Sequence, residues 1–155
     1  MYKTILVPHA GSPAGDEALK HAIHIAKSND AKIIILHVLE EFPNLPLLMH
    51  EEQRERIKKQ LEEAIETTKK TIEKEMTERI KLCEKENIKP DLRIITGFPE
   101  EGIMQIVADE EIDLIVMAKR RKLKGIRKLM TLGSVSRKIV ENVKCPVLLI
   151  DIENL

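Results

Sequence analysis

The chain has 155 residues, 43% of them apolar and 34% charged, with 26 basic against 26 acidic side chains and a formal net charge of zero. That length makes one domain with a full core, expected over residues 1–155. Zero net charge excludes bulk attraction to nucleic acid or to a membrane, so any anion binding has to be local.

Aromatic residues make up only 2% of the chain, so the core must be aliphatic. No apolar run approaches the roughly 18 residues of a membrane span. Met1-Tyr-Lys-Thr-Ile-Leu6 leads into a strand pattern, not a secretion signal. Cys83 and Cys145 are too few and too isolated for a disulfide framework or a metal cluster, and a reducing cytoplasm is expected.

In chain order, Tyr2-Lys-Thr-Ile-Leu-Val-Pro8 reads as a first strand, followed by a turn at His9-Ala-Gly-Ser12. Ser12 suits an N-cap and Pro13 the first helical position. Ala18, Leu19, Ala22, Ile25 and Ala26 then recur at helical spacing through about Ser28. Ala31 to Val38 is a second strand, apolar on both faces. Pro43 and Pro46 exclude a regular helix in the segment from Leu39 to His50. Its leucines suit a segment folded over the sheet or the next helix; the alternative is a lid or partner surface.

A long charged helix is expected from Glu51 to Asn87. Ile57, Leu61, Ile65, Thr68, Ile72, Met76, Ile80 and Cys83 give it one narrow apolar stripe. Its other faces carry charged residues at i,i+4 spacing, which read as a solvated surface. Such a length predicts a kink or an overhang beyond the sheet. Asp91 to Thr96 is a third strand, and Gly97-Phe-Pro-Glu-Glu101 opens a helix with Ile103, Ile106 and Val107 on its buried stripe. Asp113-Leu-Ile-Val-Met-Ala118 is a fourth strand. A basic loop follows, with seven Lys or Arg in the ten residues from Lys119 to Lys128. Gly133 to about Asn142 is the last helix, and Val147 to Ile150 the last strand.

Strands alternating with helices imply an α/β fold with a parallel sheet covered on both faces. Ligands of such sheets sit beyond the carboxyl ends of the strands, where strand order reverses. A strand, a cationic loop and a helix entered through Gly133-Ser134 make an anion site, because the first N–H groups of a helix lack internal partners.

Ile5-Leu-Val-Pro8 with Gly11-Ser12, then Gly97-x-Pro-Glu-Glu101, Asp113 to Met117, Gly133-Ser-Val-Ser136 and Cys145-Pro-Val-Leu-Leu-Ile150 together resemble the universal stress protein family over nearly the whole chain. The resemblance implies a five-stranded parallel sheet of order 3-2-1-4-5, a Rossmann-like three-layer sandwich of the adenine nucleotide alpha hydrolase type. It also implies a homodimer paired through the last strand (Val147, Leu148, Leu149, Ile150). Many members hold ATP or a related nucleotide through Gly-x2-Gly-x9-Gly-Ser/Thr and an Asp after the first strand. Here the Asp position falls on Ala10, the first Gly on Ala118 and the second near Arg121; Gly133-Ser134 alone is intact.

The resemblance therefore implies a degraded nucleotide pocket for ATP or AMP, lined by Pro8, His9, Ala10, Gly11, Val38, Met117, Ala118, Gly133, Ser134, Val135 and Ser136. Val38 would offer its backbone to a base. Lys119 and Arg121 of the basic loop would serve as anion ligands; the alternative is a solvated loop, or one neutralised by acids of the long helix. His9 would touch the ligand or cap its turn, and His37 reads as a satisfied core histidine. Neither a metal site nor a catalytic set is expected. The reading is a non-catalytic stress-response binding module. Its rivals are a slow ATP hydrolase and a ligand-free interaction dimer.

Overall fold

The computed structural model describes residues 1–40, 49–119 and 132–151. The elements are β1 (Thr4–Pro8), α1 (Pro13–Asn29), β2 (Lys32–Glu40), α2 (Glu51–Lys85), β3 (Asp91–Gly97), α3 (Pro99–Asp109), β4 (Leu114–Lys119), α4 (Ser134–Asn142) and β5 (Val147–Asp151). The five strands form one parallel sheet of order β3-β2-β1-β4-β5, as expected.

Local chemistry explains the helix starts. Ser12 caps α1 by accepting the Gly15 N–H at 3.2 Å, and Pro13 fills the first position, where its missing N–H costs nothing. Glu100 and Glu101 sit in the first turn of α3 beside Pro99, against the positive end of the helix.

The strands alternate their side chains between two apolar layers. Ile5, Val7, Ile33, Ile35 and Val116 meet α1 and the end of α2 through Leu19, Ala22, Met76 and Cys83. Leu6, Ile34, Leu36, Ile115 and Met117 meet α3 and α4 through Ile103, Ile106 and Ile139. A sheet buried on both sides explains why its strands read as unbroken apolar runs.

Two expectations need correction. Strand β2 does not end at Val38: Leu39 and Glu40 continue it, paired with Thr96 and Gly97 of β3. Residues 41–48 of the Pro-containing segment lie outside the described residues. The overhang expected of α2 is present, its apolar stripe being buried only toward the carboxyl end. Ile72, Met76 and Cys83 are buried, Ile57, Leu61 and Ile65 only half-buried, and Thr68 exposed. At 1.5 Å per residue this 35-residue helix is about 52 Å long, and only its carboxyl-terminal part joins the core. Finally, His37 is half-buried rather than a satisfied core histidine, and its buried Nδ1 has no hydrogen-bond partner among the described residues.

Candidate functional site

Pairing between β1 and β4 stops at Leu6 with Ile115, although β4 runs on to Lys119. Strand β1 leans instead toward β2, where the His9 N–H donates to the Leu36 carbonyl at 2.8 Å. Pro8 has no N–H to offer. The place for a crevice is therefore between the carboxyl ends of β1 and β4, where strand order reverses.

Helix α4 begins beside that end, because it leads from β4 back to the amino end of β5. Gly133 occupies its N-cap position, and among the described residues no side chain caps it. The first intrahelical bond runs from Arg137 N–H to the Gly133 carbonyl at 3.0 Å, leaving the N–H groups of Ser134, Val135 and Ser136 at the positive helix end. Ser134 is exposed, Val135 half-buried and Ser136 buried.

The expected lining residues divide between the faces of the sheet. Met117 and Val135 belong to the layer that meets α3 and α4, and Val38 packs there too; a Cβ on Gly102 of α3 would lie 3.0 Å from its Cγ2. Pro8 and Ala118 are half-buried at their strand ends, and Ala10 is exposed on the turn. The side chain of His9 points to the opposite layer, so it does not join Met117 and Val38. Lys119 does not stand free for an anion: its Nζ lies 3.6 Å from the Asp151 carboxylate at the end of β5. Arg121 and the rest of the basic loop, residues 120–131, lie outside the described residues.

His9 is buried with both ring nitrogens engaged. Its Nδ1 accepts the Gly11 N–H at 3.0 Å, which requires the proton on Nε2, and Nε2 lies 3.0 Å from Asp16 Oδ1. The ring lies flat against Gly15 of α1, where an added Cβ would come within 2.9 Å of Cε1. Arg79 of α2 forks onto the same carboxylate, Nε to Oδ1 at 2.7 Å and Nη2 to Oδ2 at 3.2 Å, and its Nη2 also reaches the Gly11 carbonyl at 3.5 Å. Gly11 has φ +74°, a left-handed conformation that a Cβ would strain.

The charges follow from this geometry. The Arg79 guanidinium holds the Asp16 carboxyl below its ordinary range, and Asp16 raises Arg79 in return. Burial lowers the His9 imidazole, outweighing the attraction of Asp16, so the ring stays neutral near pH 7.

Asp16 and Arg79 escaped the sequence reading. Asp16 lies in the first turn of α1, and Arg79 stands 63 residues away on a helix face read as solvated. Nothing in local spacing could have joined them. Among the described residues no cluster of His, Cys, Asp or Glu could hold a metal ion.

Strand order β3-β2-β1-β4-β5 with helices on both faces defines a doubly wound α/β protein whose strand order reverses between β1 and β4. The chain belongs to the universal stress protein family, whose family model matches residues 1–151. Universal stress protein MJ0531 of Methanocaldococcus jannaschii is 31% identical over 153 residues, covering 97% of this chain and 82% of that protein. The solved structure of MJ0577, from the same organism, superposes with a TM-score of 0.80 at 26% identity, covering 100% of this chain and 99% of that one. A universal stress protein of Arabidopsis thaliana solved with AMP bound shares the fold at a TM-score of 0.61 and 22% identity, covering 96% of this chain and 91% of its own.

Proposed function

We propose that this universal stress protein is a non-catalytic regulatory module, working in the cytoplasm, that holds an adenosine nucleotide such as ATP or AMP in the crevice between β1 and β4. The observation that carries the reading is the start of α4 at Gly133-Ser134, uncapped by any described side chain, on the crossover that leaves β4 where its pairing to β1 has stopped. Free N–H groups at a helix start suit a phosphate. Gly11, Ala10 and Met117 would flank the sugar, and the backbone of Val38 would meet the base. The AMP-bound relative supports the choice of ligand class.

Ala10 supplies no carboxylate for the sugar, and Ala118 places a methyl group where the family pattern has glycine, so weak affinity is expected. No carboxylate among the described residues near the α4 start is arranged as a general base. That favours holding a nucleotide over hydrolysing it. The proposal includes a homodimer formed by antiparallel pairing of β5 through Val147, Leu148, Leu149 and Ile150, because an apolar edge strand invites pairing.

Calorimetric titration with ATP, AMP and cyclic nucleotides tests the reading. Wild-type protein should bind at least one of them, and Ser134→Glu, which sets a carboxylate at the phosphate position, should weaken that binding about tenfold or more by charge repulsion. Absence of any binding to folded dimer would favour the ligand-free interaction protein. Turnover of ATP with magnesium, abolished by the Ser134 substitution, would favour the hydrolase.

A further inference from the structure

The turn that borders the crevice is fastened to a helix that takes no part in the crevice. Arg79 lies on the packed carboxyl-terminal part of α2. It touches the Gly11 carbonyl directly and grips Asp16 with two bonds, and Asp16 in turn fixes the His9 ring. Through Nδ1 that ring holds the Gly11 N–H. Gly11 is thus held at its N–H and at its carbonyl, and the second hold comes from α2. Elsewhere α2 reaches the core through aliphatic contacts at Ile72, Met76 and Cys83. Its amino-terminal stretch extends beyond the core with its charged faces in solvent.

We propose that Arg79 is a positioning residue that couples the seat of α2 to the Gly11 turn, so that ligand in the crevice and the long helix report on each other. The ligand arm rests on the nucleotide reading above; the geometry of the turn does not. A bidentate guanidinium suits the task because it fixes direction as well as charge. Coupling of this kind is reciprocal: whatever steadies the turn steadies α2, and a partner that shifts α2 alters affinity in the crevice by the same factor. Asp16 and His9 act as the intermediate groups. Neither they nor Arg79 needs to touch the ligand.

The test uses the full chain with Arg79→Ala and Arg79→Lys, each checked by circular dichroism. In the absence of nucleotide, nitrogen NMR follows the His9 ring and the Gly11 amide at pH 8. Arg79→Ala should move both, and Arg79→Lys should restore them only in part, because an ammonium cannot fork. With AMP, Arg79→Ala should weaken binding about fivefold or more. Hydrogen exchange in residues 70–85 should slow on adding AMP to wild type and stay unchanged in Arg79→Ala. A merely structural arginine would lower the melting temperature and leave the Gly11 and His9 signals in place. That result, or wild-type AMP affinity in folded Arg79→Ala, would overturn the proposal. If wild-type protein binds no AMP but binds ATP or a cyclic nucleotide, that nucleotide replaces AMP in the test; if it binds none of them, the nucleotide reading fails, and the signals of the nucleotide-free protein alone decide the positioning role.

Discussion

His9 shows how much one side chain depends on its seat. The imidazole fits only because position 15 is glycine, so Gly15→Ala pushes a methyl group into the ring. Overpacking of that kind should cost about 1–3 kcal/mol, read as a lower melting temperature with a displaced Gly11 amide. Acid should act at the same place. Burial holds the His9 and His37 imidazoles below their ordinary 6.5, so around and below that pH the unfolded chain binds more protons than the folded one. Their contribution to stability is complete above about pH 6.5 and is lost as the pH falls toward their folded values. Asp16, held below its ordinary 3.8 by Arg79, adds a further loss at still lower pH. The groups facing His9 are Asp16 of α1, Arg79 of α2 and His37 of β2, and Glu75 of α2 acts on His37. Urea midpoints should fall between pH 8 and pH 5, and His9→Gln should flatten the slope; an unchanged midpoint across that range contradicts this account. Cys83 offers a separate check. Burial pushes its thiol up to about 11, so alkylation at pH 8 should leave it untouched in the native protein and reach it only on unfolding.

Among the elements, α2 has two unlike parts. Residues from Ile72 onward bury their stripe against the sheet layer, whereas Ile57, Leu61 and Ile65 are only half-covered. Met76→Ala should therefore cost about 2–5 kcal/mol, as deletion of a fully buried side chain does, and Leu61→Ala clearly less. Amide exchange should be faster in residues 51–68 than in 70–83, since exposed helix opens locally without unfolding the core. Equal protection along the helix would mean that the first part is held as firmly as the last. The stripe was readable from spacing and an overhang from length, but the point where burial stops was not. A periodic pattern says which face can be buried, and only the length of the sheet beneath says how much of it is.

For the whole molecule, the sheet leaves β5 at one edge, with Lys119 and Asp151 pairing where β4 and β5 end. Native mass spectrometry should find a dimer, with β5 amides protected from exchange in it; a monomer at micromolar concentration would remove the edge-pairing proposal.

The run of five aliphatic strands, the cap at Ser12, Pro99 at the first position of α3, and the Gly133-Ser134 helix start were all legible along the chain, because each expresses a preference of neighbouring residues for a strand, a turn or a helix end. The crevice itself was legible as a position, since a reversal of strand order implies it. The tether of His9, Asp16 and Arg79 was decided only by folding. It joins residues whose local surroundings look like a turn, a first-turn acid and a solvated helix face, and hydrogen bonds across 63 residues leave no periodic trace. The assignment of His9 to one face of the sheet and Met117 to the other was likewise settled in three dimensions, because proximity to a strand end does not say which way a side chain turns.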